Sequence, residues 1–76
     1  MRDLVALIAR GLVRDPLRVR VQEHEQDGRT VLELSVAAGD RGRVIGREGR
    51  TASALRTLVS ALARQGGSEC TLEILD

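Results

Sequence analysis

The sequence predicts a two-layer α+β domain in which helices cover one face of a three-stranded mixed sheet. Two kinds of periodicity lead to this fold class: stretches with apolar residues at helical spacing, and short stretches in which apolar and polar residues alternate. The order of these stretches is helix, strand, strand, helix, helix, strand. One small domain accounts for a chain of 76 residues, and we expect it to span residues 1–76.

The first helix is predicted over residues 4–13. Its apolar residues at helical spacing are Leu4, Leu7, Ile8 and Leu12. Asp3 stands before them, where an N-cap or first-turn acid is favourable. Asp15-Pro16 ends the helix, because the residue before a proline is pushed out of the α region.

The next two predicted strands form an antiparallel hairpin. Leu17, Val19 and Val21 alternate with polar residues in the first strand, and Leu32, Leu34 and Val36 do so in the second. Asp27-Gly28 lies between them, and Asp-Gly is a strong turn signal because both residues tolerate positive φ. Residues 23–26 are all polar, so we expect the end of the first strand to project into solvent.

Four of the eight glycines lie between residues 39 and 49, where the strand pattern ends. Asp40 can cap a short helix over 40–45, which Gly46 would stop. A longer helix is predicted over 50–65, with Gly66-Gly67 as its C-terminal stop. Its apolar arc covers about half the circumference. Either the arc packs between the sheet and the first helix, or the part around Ala54, Leu58 and Ala61 contacts a protein partner.

The last strand is predicted from the alternation of Cys70, Leu72 and Ile74 with Thr71 and Glu73. The chain reaches it from the second strand through two helices, so these two strands run parallel if they are neighbours. The polar side of the strands predicts that the second face of the sheet stays in water. Its residues are Arg18, Arg20, Glu33, Ser35, Thr71 and Glu73.

Composition excludes several classes of function. One Cys cannot form an internal disulfide, and one His with one Cys is too little for a zinc site. The chain has no Ser/His/Asp set, no phosphate-binding loop with Lys and no apolar run near 18 residues. We therefore expect a cytoplasmic protein that is not an enzyme, uses no metal or other cofactor, takes no small-molecule substrate and does not enter a membrane.

Positive charge is concentrated in one segment. The net charge is +1, and all twelve basic residues are Arg. Residues 1–39 sum to zero and residues 57–76 to −2, whereas residues 40–56 sum to +3. The excess positive charge therefore lies on the glycine-rich segment and the start of the long helix.

Gly46-Arg47-Glu48-Gly49 joins the two predicted helices. Glycines at both ends permit positive φ and let another backbone approach closely. The loop leads into a helix N-terminus, where free N–H groups and the helix dipole favour an anion, and Arg47 and Arg50 flank that position. A phosphate is the expected guest, and the phosphates of a nucleic acid are the expected polymer.

The run Val44-Ile45-Gly46-Arg47-Glu48-Gly49-Arg50 resembles the signature of KH domains, whose GXXG loop clamps the backbone of about four nucleotides. The element order is similar to the type II, bacterial arrangement. Residues 45–56 resemble the small stand-alone KH proteins of the KhpA (YlqC-like) family, and this resemblance covers the whole chain. It implies a non-catalytic, single-stranded RNA-binding protein that acts post-transcriptionally. It also implies a homodimer, or a heterodimer with a larger KH-containing protein.

The resemblance also implies a set of RNA-binding residues: Arg43, Val44, Ile45, Gly46, Arg47, Glu48, Gly49, Arg50 and Thr51. The loop would clamp the RNA backbone. Val44, Ile45 and the helix from Arg50 would form one wall of the groove, and residues 70–75 the other. Glu48 is unfavourable for phosphate unless it points towards Arg50 or Arg47, so we expect modest, salt-sensitive affinity.

Other interpretations of the same residues remain open. Gly46 and Gly49 could form only a tight turn between helices, and Arg41 and Arg43 could be solvated surface residues. Cys70 is expected to be a buried small hydrophobe and His24 to be exposed. The protein could also bind single-stranded DNA. Finally, it could be an interaction module in a cell elongation or division pathway, with only incidental affinity for RNA.

Overall fold

Three helices and three strands follow one another in the predicted order. The computed structural model describes residues 1–75, so Asp76, at the end of the predicted domain, lies outside the described part. The elements are α1 (Arg2–Leu12), β1 (Arg20–Gln26), β2 (Arg29–Ser35), α2 (Arg41–Ile45), α3 (Arg50–Gln65) and β3 (Cys70–Ile74). Short 3₁₀ turns precede β1, α2 and α3, and the predicted α+β class is confirmed.

The sheet has the strand order β1-β2-β3. β1 and β2 are antiparallel, and the turn between them has positive φ at Asp27 (54°) and Gly28 (79°), as a two-residue hairpin turn requires. β2 and β3 are neighbours and run parallel, with Leu32 opposite Leu72. Both predicted pairings are therefore confirmed, and β2 is the central strand.

All three helices pack on the same face of this sheet. Leu32, Leu34 and Leu72 point towards the helices and are at most 4% exposed. They meet side chains of the three helices in one aliphatic core, which includes Val5, Ala9, Val44, Leu55 and Val59. The opposite face carries mostly polar side chains, as predicted. Val31 is an exception, since it is 4% exposed although its neighbours in register are His24 and Thr71.

The first strand begins later than the sequence pattern predicts. Pro16–Arg18 forms a 3₁₀ turn in which the Val19 N–H donates to the Pro16 carbonyl, and Leu17 is 85% exposed. Proline fixes its own φ near the value of such a turn, which favours the turn over a strand at this point. The alternation of Leu17 with Val19 is therefore a coincidence, and Arg18 is not a strand residue.

The long helix ends as its two glycines predict. Gly67 has φ +78°, its N–H donates to the Arg64 carbonyl, and the Ser68 N–H donates to the Ala63 carbonyl. These two bonds form a Schellman motif, which satisfies carbonyls at the end of α3 and turns the chain back towards β3. The bounds of α3 coincide with the predicted 50–65.

Asp40 lies immediately before α2, but its side chain does not cap that helix. Its carboxylate instead accepts hydrogen bonds from the backbone N–H groups of Arg14 (3.2 Å) and Asp15 (3.1 Å). Asp40 is 4% exposed, and its hydrogen bonds form a partly buried tertiary contact between the end of α1 and the start of α2. The predicted capping role is wrong, because the Asp40 carboxylate accepts from the N–H groups of Arg14 and Asp15, which follow α1, and not from an N–H group of α2.

Candidate nucleic-acid interface

Gly46 ends α2 in a conformation that only glycine readily adopts. Its φ is +78° and its ψ is 171°, a region that is essentially closed to residues with a Cβ. A Cβ on Gly46 would also lie 2.7 Å from the Thr51 Cβ and 2.9 Å from the Thr51 nitrogen. The first turn of α3 therefore packs directly against the loop, and a glycine is needed here for two separate reasons.

The rest of the loop is a tight 3₁₀ turn. The Gly49 N–H donates to the Gly46 carbonyl (3.1 Å), and Gly49 has φ +75°. Glu48 also has a left-handed backbone, with φ 56° and ψ 26°. A Cβ on Gly49 would meet nothing within 4 Å, so the space beside the backbone is open. Glycine is favoured at this position because of its positive φ and not because of close packing.

The arginines around the loop face solvent. Arg47 is exposed, the Arg50 side chain is 79% exposed and the Arg43 side chain is 44% exposed. Arg43 Nε lies 3.7 Å from Asp40 Oδ1, and Arg50 Nη2 lies 3.9 Å from Glu48 Oε2. Both distances are long for ion pairs, so these side chains can approach an incoming anion.

Burial of Asp40 strengthens the positive character of this surface. Of the two acids in residues 40–56, Asp40 is buried against backbone N–H groups and Glu48 alone is exposed. The arginines of the segment stay at least partly accessible. The charge of +3 that the sequence assigns to this segment therefore lies mostly on the outside of the molecule.

Two further arginines bind backbone carbonyls of β3 and of the residue that follows it. Arg41 Nε donates to the Leu75 carbonyl, and Arg56 Nε donates to the Leu72 carbonyl, each at 3.1 Å. The Leu75 N–H pairs with β2, so alternation along a parallel strand turns the backbone of Leu72 outwards. Arg56 thus bridges α3 and the outer edge of the sheet.

A cavity of about 670 Å³ opens beside this bridge. It is lined by Arg56 and Ser60 of α3, by residues 70–73 and by residues at the hairpin turn. None of the nine predicted RNA-binding residues lines it. The cavity therefore lies at the outer edge of β3, between Arg56 and Ser60 on one side and the hairpin turn on the other, and does not include the loop.

The chain matches the family model described as KhpA/KhpB, KH domain, over residues 2–74. It belongs to this family of KH domains. The sequence is 47% identical to the RNA-binding protein KhpA of Treponema pallidum over 97% of this chain and 92% of that one. It is 46% identical to the RNA-binding protein KhpA of Halalkalibacterium halodurans over the whole of both chains.

A third relative is the RNA-binding protein KhpA of Aquifex aeolicus, which is 43% identical over all of this chain and 96% of that one. No solved structure gives a significant match. The family is one of KH domains and not of enzymes, as predicted. The helix and strand order agrees with the type II KH fold that the sequence resemblance implied.

All nine predicted RNA-binding residues lie in the loop of residues 46–49 or beside it in the chain, but not all nine side chains face outwards. Val44 is completely buried in the aliphatic core, so its side chain supports the groove wall from beneath and offers no surface to a ligand. Ile45 and Thr51 are half-buried. The exposed side chains of the set are Arg43, Arg47, Glu48 and Arg50.

The contacts of Arg41, Arg56 and Asp40 could not be predicted from the sequence. Their hydrogen-bond partners lie 34, 16 and 25–26 residues away along the chain. No local pattern marks a contact of that range. Only the positive charge of the segment, which was visible in the sequence, placed Arg41 and Arg56 near the candidate interface.

The exposed side of α3 carries three apolar residues, Ala54, Leu58 and Ala61. Their spacing of four and three residues puts them on one face of the helix. They are not packed between the sheet and α1, so that interpretation of the wide apolar arc is wrong for this part of it. Leu58 is 39% exposed and is the largest of the three.

Cys70 is a core residue, as predicted. It is 8% exposed, and burial together with the Glu23 carboxylate raises the pKa of its thiol. Among residues 1–75 no three His, Cys, Asp or Glu side chains lie close enough to hold a metal ion. Within the same range no helix is long and apolar enough to span a bilayer.

Proposed function

We propose that this KH domain binds single-stranded RNA, without catalysis, through the loop of residues 46–49. The observation that carries the proposal is the conformation of this loop: Gly46 packs directly against Thr51, and the backbone at Gly49 has open space beside it. The KhpA relatives are named as RNA-binding proteins, and the loop is the part of this chain that suits a nucleic-acid backbone.

The charge distribution supports this assignment. Arg43, Arg47 and Arg50 surround the loop with exposed guanidinium groups, while Asp40 is buried. Arginine is suited to phosphate because its planar group donates several hydrogen bonds and keeps its charge. A small number of such contacts gives modest affinity that falls with salt.

The amino-acid composition supports recognition of unpaired bases by contacts other than stacking on Phe, Trp or Tyr rings. The chain has no Phe, Trp or Tyr, so a base near the loop would meet aliphatic side chains, guanidinium planes, polar side chains and backbone groups. Between α3 and the outer edge of β3, the exposed Arg56 offers a guanidinium plane, and its Nε donates to the Leu72 carbonyl.

We propose a post-transcriptional role in the cytoplasm, with the protein acting as a homodimer or with a larger KH-containing protein. The chain itself offers one clamp of four residues, which contacts a short stretch of RNA. Pairing two such domains lengthens the bound stretch and raises the overall affinity through the effective concentration of the second site.

The loop can be tested by reversing its charge. Replacing Arg47 and Glu48 together with Asp should abolish ultraviolet crosslinking to RNA, because two adjacent acids would face the phosphates. The matched control replaces the exposed residues Arg2 and Glu25 with Asp, which makes the same change in charge elsewhere. Circular dichroism should show both variants folded, and undiminished crosslinking of the loop variant would refute the proposed RNA site.

A second candidate function is a protein-interaction module in a cell elongation or division pathway. The observation in its favour is the exposed apolar face of α3, formed by Ala54, Leu58 and Ala61. Leu58→Arg should abolish partner or self-association in pull-down and size-exclusion experiments, with Leu7→Arg as the control at another exposed leucine. If the cellular phenotype follows Leu58→Arg and not Arg47→Asp, docking is the main function.

A further inference from the structure

Glu48 is an unexpected residue at the tip of a loop that faces phosphates. Its side chain is 70% exposed and lies 3.9 Å from Arg50, and the exposed Arg47 precedes it in the chain. Its backbone adopts φ 56° and ψ 26°, which costs a non-glycine residue about 1 kcal/mol. The position therefore combines a strained backbone with a charge that repels the proposed ligand.

The contact between Glu48 and Arg50 does not remove this charge from the loop surface. Glu48 Oε2 and Arg50 Nη2 are 3.9 Å apart, and both side chains are more than two-thirds exposed. Ion pairs of this kind are weak and are screened by salt. The carboxylate is therefore free to turn towards a bound strand.

The backbone of a nucleic acid offers a carboxylate only one hydrogen-bond partner. Phosphate and sugar ether oxygens are acceptors, so they match the arginines and repel Glu48. The ribose 2′-OH is the single donor along the backbone, and DNA lacks it. A carboxylate that faces the nucleic-acid backbone can consequently accept a hydrogen bond from RNA, whereas the DNA backbone has no donor for it.

We propose that the Glu48 carboxylate accepts a hydrogen bond from a ribose 2′-OH and thereby makes the loop select RNA over single-stranded DNA. This inference rests on the proposed RNA-binding function and adds the chemical feature that is recognised. With RNA, a charge-assisted hydrogen bond offsets the repulsion between Glu48 and the phosphates. With DNA, the repulsion stays uncompensated.

The experiment compares three labelled oligonucleotides of one sequence by fluorescence anisotropy: RNA, DNA and 2′-fluoro RNA. The 2′-fluoro group keeps a ribose-like sugar pucker but has no hydrogen to donate. We expect the intact protein to bind RNA about fivefold to tenfold more tightly than either of the others, as loss of one hydrogen bond at a solvent-exposed side chain implies.

Two variants locate this preference. In Glu48→Ala the preference for RNA should fall by about fivefold, mainly because DNA and 2′-fluoro RNA bind more tightly once the repulsion is gone. In Glu48→Gln the charge is lost but an acceptor remains, so all affinities should rise and a smaller preference for RNA should persist. Glu25→Gln, on an exposed part of β1, should change none of the ratios.

Two results would overturn the inference while leaving RNA binding intact. One is a preference for RNA over DNA that is the same in the intact protein and in Glu48→Ala. The other is 2′-fluoro RNA that binds as tightly as RNA, since the sugar shape would then be recognised and not the hydroxyl hydrogen. Failure of the intact protein to bind any of the three strands would instead refute the proposed function, and this inference with it.

Discussion

The Asp40 carboxylate and the Asp15 backbone N–H form a partly buried hydrogen bond of 3.1 Å between Oδ2 and nitrogen. Oδ1 of the same carboxylate accepts from the Arg14 N–H. Asp15 contributes its backbone donor to this contact, while its own carboxylate is half exposed and lies 3.9 Å from Arg18 Nε. The contact joins the end of α1 to the start of α2, which leads directly into the loop of residues 46–49.

Asp40→Asn should lower the free energy of unfolding by about 1–3 kcal/mol, because the amide keeps only one acceptor oxygen and leaves one partly buried N–H without its partner. Urea unfolding measures this loss. Asp27→Asn is the matched control: Asp27 is exposed and has positive φ, which Asn tolerates, so it should change stability by less than about 0.5 kcal/mol. Equal losses in the two variants would show that the buried contact contributes nothing.

Gly46→Ala and Gly49→Ala should differ in their effect on stability although both glycines have positive φ. Alanine at Gly49 meets open space and should cost about 1 kcal/mol through backbone strain. Alanine at Gly46 must also displace Thr51, so its loss should exceed that of Gly49→Ala by about 1–3 kcal/mol. Thermal or urea unfolding of the pair checks this, and similar losses would mean that Gly46 does not pack against α3 as described.

The salt dependence of RNA binding should report the number of arginines that contact phosphates. If Arg43, Arg47 and Arg50 each neutralise one phosphate of a single strand, the logarithm of the binding constant should fall with the logarithm of salt concentration with a slope of about −2. Arg47→Ala should reduce the slope to about −1.4. Anisotropy titrations at several salt concentrations measure it, and an unchanged slope would remove Arg47 from the phosphate contacts.

Alkaline pH should destabilise the protein through Cys70. Burial raises the pKa of this thiol in the folded chain, with the Glu23 carboxylate adding to the shift. Above about pH 8.5, the usual cysteine pKa, the unfolded chain loses a proton that the folded chain keeps. Stability therefore falls as pH rises and levels off only above the folded pKa.

This destabilisation is measurable because the chain contains no Lys and no Tyr, so few other groups change charge in the same range. The experiment is urea unfolding of the intact protein and of Cys70→Ala at a series of pH values from neutral to above about pH 8.5. The variant removes the thiol, and its stability should vary less with pH even if its value is lower throughout. Parallel pH profiles of the two proteins would contradict the assignment to Cys70.

Local patterns were sufficient for most of the fold. The Asp27-Gly28 turn, the stop at Gly66-Gly67 and the bounds of α3 depend on backbone preferences of residues that are adjacent in the chain. The pattern misled at Leu17, where Pro16 imposes a turn on a stretch that alternates like a strand. A preference of one residue for a fixed φ was stronger there than the weak tendency of three residues to form a strand.

The loop of residues 46–49 could also be singled out in the sequence as a candidate site, since two glycines, their arginines and the flanking helices are contiguous. The sequence could not reveal that Val44 is buried beneath the loop, that Asp40 binds the end of α1, or that Arg56 reaches the edge of β3. These contacts join residues far apart in the chain, and they exist only once the helices have packed on the sheet. Periodicity determines which side of an element is apolar, whereas the partner of each polar group depends on how the elements are placed in space.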